Sequence, residues 1–197
     1  MSKNTAPLPD WELVLSSAAR LQRILPDVDR VLAKLESVAG WKTARVTRPV
    51  QILGSLDGIE TGVRQLIRDE PLETVVLEWH GARITVPTER EILRIKGVLI
   101  LRRNATRDYL DFVALADHMG DEGVVMALKS FDRLYKQESG ESPLQQLQVQ
   151  LVNPMPYDLE KTELSEYKNL DPRWHDWVDV RASSKRRTSP PSPWSGC

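Results

Sequence analysis

Apolar residues recur at helical spacing near the start of the chain. Leu13, Val14, Ala18, Leu21, Ile24 and Leu25 lie three and four apart, which predicts an amphipathic helix over 11–25. Asp10 is its N-cap and Pro26 its stop. A second helix is predicted over 28–38, with Val31, Leu32 and Leu35 on one face and Gly40 at its end. Strand character begins at Trp41, where Ala44, Val46, Val50, Ile52 and Leu53 sit between turn residues. Gly54-Ser55-Leu56-Asp57-Gly58, with its two glycines, reads as a loop or bulge. The stretch 63–67 fits a helix or a strand. The clearest hairpin joins 73–79, rich in strand formers, to 82–86 through His80-Gly81, where glycine supplies the positive φ of a tight turn.

The remainder reads as helices. Thr88-x-x-Glu91 is a capping box, opening a helix that runs to about Arg103. Another spans 106–119, with Gly120 as its C′ residue, and a third spans 122–135. Residues 136–142 form a polar linker. A short helix over 143–152 carries Pro143 in its first turn, where a missing amide does no harm; Asn153-Pro154-Met155-Pro156 breaks it. Trp174 and Trp177 share one face of a last short helix after Pro172. From Ser183 the chain is mostly Ser, Pro and basic residues and reads as disordered. The expected fold class is α+β: a small mixed sheet with several packed helices. The expected organisation is a flexible lead-in over 1–10, a core over 11–135, a helical extension over 136–182 and a tail over 183–197.

Composition narrows the functional classes. Of 197 residues, 41% are apolar, enough for a core, and 28% are charged. With 27 basic and 28 acidic side chains the net charge is -1, so bulk attraction to nucleic acid or anionic lipid is excluded and any such binding must be local. The single cysteine, Cys197, rules out a disulfide framework and suits a reducing compartment. No apolar run approaches the roughly 18 residues of a membrane span, and MSKNTAPLPDWELV lacks the apolar region of a signal peptide. The expected location is the cytoplasm.

The candidate chemistry lies in Val86-Pro-Thr-x-x-Glu91-Ile-Leu-Arg-Ile-Lys96, then Arg102-Arg103, then Arg107-Asp108-Tyr109-Leu110-Asp111. Residues advance about 100° each on a helix, so Lys96 and Arg103 face the same way within about 20°. Asp108 and Asp111 form an i,i+3 pair on the next helix. Cations suit a triphosphate, and a carboxylate suits a metal or a proton. A solvated helix face is the plainer reading of the same letters.

This pattern resembles the C-terminal motifs of the AbiEii/AbiGii toxin family, most densely over 71–116. That family has a minimal nucleotidyltransferase fold and includes toxins of type IV toxin–antitoxin systems. The resemblance implies Lys96, Arg103 and Arg107 as phosphate contacts and Asp108 and Asp111 as the catalytic or metal-linked acids. It also implies Mg2+ and an NTP as cofactors, and a cognate antitoxin and a tRNA or other RNA acceptor as partners. The family's glycine turn and D-x-D segment is missing from its place near 26–28. The expected domain is therefore a truncated nucleotidyltransferase with impaired transfer; an active toxin and a non-enzymatic interaction module or truncated gene product are the alternatives. Asp27-x-Asp29 has the metal-binding letters but reads better as an N-cap with a first-turn acid. Gly54-Ser55 begins like the glycine turn, with acids at the wrong spacing. His80, His118 and His175 stand at no ligand spacing. Trp174 and Trp177 read as packing residues, and Lys185-Arg186-Arg187 as solvated tail.

Overall fold

The structure, a computed structural model, describes residues 28–48, 51–64, 68, 70–79, 82–167 and 170–186. The expected helix over 11–25, Asp27, the His80-Gly81 turn and the end of the chain from residue 187 lie outside them. The fold is α+β, with small sheets and packed helices, and its strand pairing is antiparallel. It divides into two compact units, one up to Thr88 and one from Glu89 onward. That boundary falls inside the 11–135 span.

In the first unit, α1 (Val28–Glu36) precedes a meander of β1 (Trp41–Thr47), β2 (Gln51–Leu56) and β3 (Ile59–Arg64), in the order β1-β2-β3. Val28 and Val31 of α1 are buried with Ile52 of β2, and Leu32, Leu35, Trp41, Val46 and Val63 pack around them. The register puts Val46 and Val63 on either side of Ile52, so one face of the sheet is apolar and α1 covers it. Gly54 to Leu56 belongs to β2 rather than to a loop. Gly54 is a close-approach glycine: a Cβ there would lie 2.5 Å from the Lys42 carbonyl oxygen and 2.6 Å from the Trp41 ring. The turn is only Asp57-Gly58, with φ of 51° and 83°, the two-residue primed turn that Asp-Gly favours. The stretch from Val63 is strand as far as Arg64. A separate hairpin joins β4 (Thr74–Trp79) to β5 (Ala82–Pro87).

The second unit is helical. α2 (Glu89–Arg103) lies against α3 (Thr106–Leu128), followed by the short α4 (Phe131–Leu134), α5 (Pro143–Val152) and α6 (Trp177–Arg186). Gly120, at φ 68° and ψ 173°, interrupts α3 with a kink at the position expected for a C′ glycine. Helix α5 starts as its sequence implies: the Ser142 hydroxyl accepts the Gln145 amide, and Pro143 occupies the first turn. The core joins Leu93, Val98 and Ile100 of α2 to Tyr109, Leu110, Phe112, Val113 and Ala116 of α3, with Phe131, Leu147, Leu151 and Val180 from the later helices. Trp174 is buried in this core on a 3-10 turn (Pro172–Trp174) rather than on the last helix. The chain stays helical to Arg186, so disorder does not begin at Ser183: Ser183 and Ser184 are buried, and the Ser184 hydroxyl donates to the Leu151 carbonyl.

Gly97 marks the tightest helix contact. A methyl there would sit 2.8 Å from Leu147 Cδ2 and 3.1 Å from the Phe131 ring, both on fully buried side chains. Gly97→Val should therefore destabilise the protein by about 1–3 kcal/mol through overpacking, despite valine's better helix propensity. Thermal denaturation checks this; an unchanged or raised Tm would show that α2 does not pack so closely.

Candidate functional site

The candidate residues Lys96, Arg103, Arg107, Asp108 and Asp111 all meet along the seam between α2 and α3. Helical spacing places Lys96 and Arg103 on the α2 face towards α3, as expected, and Asp108 and Asp111 on the facing side of α3. A sharp connection makes this possible. Asn104 follows the last basic turn of α2 with φ 49°, the left-handed conformation that asparagine tolerates at a helix end. Its amide donates to the Ile100 carbonyl at 3.0 Å.

The charges neutralise one another. Arg103 grips Asp108 with two bonds, Nε to Oδ2 at 3.1 Å and Nη2 to Oδ1 at 2.6 Å. The Asp108 side chain is fully buried, whereas Arg103 is 44% exposed. The Lys96 Nζ donates to Asp111 Oδ2 at 2.6 Å, and the Arg107 Nε reaches both Asp111 oxygens at 3.4 Å. The Arg107 guanidinium also lies over the Tyr167 ring, 5.2 Å from its centre. Such a fork of parallel bonds is the strongest form of carboxylate pairing, and it occupies both oxygens of Asp108. Among the described residues, no three acidic, histidine or cysteine side chains converge as metal ligands would. Asp29 is bound instead to Arg48 at 2.6 Å on the surface.

Three further side chains complete the seam: Glu91, which the sequence marked only as a capping-box residue, and Arg94 and Asp158, which had not stood out. Glu91 and Arg94 form a buried pair at 3.0 Å, and the Arg94 Nε donates to the Ala127 carbonyl beyond the kink. Their i,i+3 spacing was legible; their burial was not, because a Glu and an Arg on a helix normally mark its wet face. The Thr88 amide of the expected capping box donates to the Glu73 carbonyl. Asp158, some fifty residues downstream, accepts both the amide and the hydroxyl of Thr106 at 2.7 Å. It thereby caps α3, whose own preceding residue, Ala105, offers no side-chain cap. Burial tends to raise the Asp158 carboxyl pKa, but the Thr106 hydroxyl and amide overcome it and hold the group below its ordinary value. Tyr109 is pushed up to about 12 by burial and by Asp108 beside it, so it remains a neutral phenol, donating to Asn104 Oδ1 at 2.7 Å. Burial, reinforced by Asp158, also raises Tyr167, against the opposing pull of Arg107.

This ladder ranks its own variants. Arg103→Ala leaves the buried Asp108 carboxylate unpaired and should cost about 3 kcal/mol, the low end for a broken buried pair because the arginine is half in water. Arg107→Ala, at an exposed i,i+4 pair, should cost under about 1 kcal/mol, and Lys96→Ala should fall between them. Urea denaturation of the three variants would refute the ladder if their order were reversed. Asp158→Ala should cost about 1 kcal/mol, as lost N-caps do. The sign with pH follows from the lowered folded-state pKa. The contribution is present above the unfolded value of about 3.9 and fades as pH falls through the folded one. The stability gap between wild type and Asp158→Ala should therefore be constant near neutrality and shrink in acid. A gap that widened in acid would contradict the cap.

Comparison with known proteins gives this geometry its context. No family model matches the chain, and no solved structure matches it. Curated relatives do. The chain is similar to the heme uptake protein MmpL11 of Mycobacterium tuberculosis (strain ATCC 25618 / H37Rv), 33% identical over 196 aligned residues that cover 78% of this chain and 20% of the relative. It is also similar to the mycolic acid-containing lipids exporter MmpL11 of Mycolicibacterium smegmatis, 34% identical over 117 residues, or 58% of this chain and 12% of the relative. A third is the probable transport protein MmpL11 of Mycobacterium leprae, 33% identical over 120 residues, covering 58% of this chain and 11% of the relative. The chain thus spans about a fifth or less of the length of these relatives. They overturn the expected nucleotide transfer and the toxin–antitoxin role, because the similarity lies with transport proteins over most of the chain. No helix among the described residues is long and apolar enough to cross a membrane.

Proposed function

We propose that this chain is a membrane-extrinsic domain of a transport apparatus of the MmpL11 kind, lying on the cytoplasmic side and acting by contact with the membrane-embedded machinery. The observation that carries this reading is the similarity to MmpL11 transport proteins over 78% of the chain, confined to a fifth of their length. Two features support it. The charged residues of the helical seam are spent on one another (Arg103 with Asp108, Lys96 and Arg107 with Asp111), an arrangement that stiffens a helix pair. Exposed apolar side chains on the same unit, including Val149, Met155 and Tyr157, offer surface for docking to protein. The single cysteine suits the reducing side of the membrane.

A segment exchange tests the proposal. In the M. smegmatis relative, the matched segment is deleted in one version and replaced by the aligned residues of this chain in another. Membrane fractionation establishes that each version is inserted, and export of mycolic acid-containing lipids is then measured. The expected outcome is lost export on deletion and restored export in the exchange. An inserted exchange protein that exports no better than the deletion, or a deletion that exports normally, would refute the assignment.

A further inference from the structure

β4 pairs along one edge with β5, and among the described residues no strand lies along its other edge. Its central residues Val75, Val76 and Leu77 are 43%, 45% and 43% exposed. Successive strand residues point to opposite faces, so β4 presents apolar side chains on both faces of the ribbon. Unbroken apolar runs of this kind belong to inner strands. β5 differs. Arg83 and Thr85 are exposed while Val86 is buried, and the strand ends at Pro87, which has no amide to donate. Alternation, a charge and a terminal proline are the marks of a finished edge. The hairpin therefore has one edge built to face solvent and one that is not, and a two-stranded ribbon alone is marginal in water.

We propose that β4 pairs antiparallel with β4 of a second copy of this chain, about a two-fold axis through Val76, giving a four-stranded sheet ordered β5-β4-β4-β5. An axis perpendicular to the sheet keeps each face matched to itself only if it passes through a residue position, since a one-residue slip exchanges the faces. Axes through Val76 and through Leu77 each give a symmetric pairing of five residues, Thr74–Glu78 and Val75–Trp79, and an axis through Val75 a shorter one; the partner of Glu78 decides for Val76. Val75 then opposes the partner's Leu77, the two Val76 residues oppose each other, and Thr74 opposes the partner's Glu78. Glu78, the one charged residue of β4, meets a hydroxyl rather than a second carboxylate or, as an axis through Leu77 would require, a valine. The contact is isologous, and both outer edges become β5, so assembly closes at the dimer. This inference does not depend on the transport reading.

Sedimentation of the full chain over a dilution series tests it. Wild type is expected to sediment as a dimer. Val76→Lys places two ammonium groups face to face on the axis and should give a monomer with unchanged circular dichroism. Should that variant fail to fold, a cysteine pair decides. In a Cys197→Ser background, Val76→Cys places two sulfurs on directly opposed positions, where Cβ atoms are about 4.5–5.5 Å apart. Mild oxidation should then yield a disulfide-linked dimer, whereas Arg83→Cys on β5 should not. A wild type that stays monomeric at the highest attainable concentration, open-ended association, a dimeric Val76→Lys variant, or equal cross-linking from positions 76 and 83 would each overturn the proposal.

Discussion

An ionised carboxylate removed from water is costly unless a cation accompanies it, and Asp108 sets that condition at the centre of the helical unit. Its side chain is fully buried, and the Arg103 fork that satisfies it comes from the neighbouring helix. The pair can form only if α2 ends and reverses at once, which Asn104 permits by its left-handed backbone. The same corner places Tyr109, whose hydroxyl donates to the Asn104 side chain and whose ring meets Trp177 edge-on at 6.1 Å. Further along, Lys96 joins Asp111, and Arg94 reaches the Ala127 carbonyl. Each rung ties α2 to α3 at one relative rotation, and the apolar side chains of the two helices then meet in register: Leu93 and Ile100 with Phe112, Val113 and Ala116.

The same rungs explain why a phosphate-handling pattern in the sequence is a structural seam in the fold. Helical spacing determines which residues share a face, and it places Lys96 and Arg103 correctly. Spacing alone does not say whether a cation faces a ligand or a carboxylate of the next helix. Arg-Asp-x-x-Asp after a basic helix end serves both purposes equally well as a string of letters. The distinction lies in burial and partnership: Asp108 has both oxygens occupied by one guanidinium, and Asp111 stands between Lys96 and Arg107.

What the sequence made legible was what local physics dominates. The α+β class, the hairpin at β4 and β5, the proline start of α5 and the break at Gly120 all follow from periodicity and turn chemistry within a few residues. The misreadings came where a distant group overrides local preference. Gly54 and Ser55 read as part of a loop or bulge; they are strand, paired on both sides, beside the register shift between Thr43 and Arg45, and position 54 is glycine because the Trp41 ring and the Lys42 carbonyl leave no room for a side chain. Ser183 and Ser184 have the composition of a tail, yet α6 buries both, and the Ser184 hydroxyl donates to the Leu151 carbonyl. Asp158 caps a helix that begins 52 residues earlier, a relation no window could contain. Glu91 and Arg94 were legible as a pair but not as a buried one.

The two units satisfy their apolar surface to different degrees, and that difference bears on what the chain does. The helical unit closes a core of aromatic and branched side chains contributed by α2 through α6, together with Leu164 from a 3-10 turn over Leu164–Glu166 and Trp174 from the one over Pro172–Trp174. The sheet unit, among the described residues, gathers a smaller cluster, Val28, Val31 and Ile52, around its meander, with Leu72 and Val86 buried by the hairpin. Leu53, Leu56 and Ile59 remain exposed on that meander, as do Val75, Val76 and Leu77 on its hairpin. A core that thin supplies little stability by itself, since small units bury too small a fraction of their surface. Contiguous exposed apolar surface marks a place where another surface belongs. Among the described residues, the apolar side chains of the meander and of β4 are therefore the surface left for another surface to cover, while the helical unit has already closed its own.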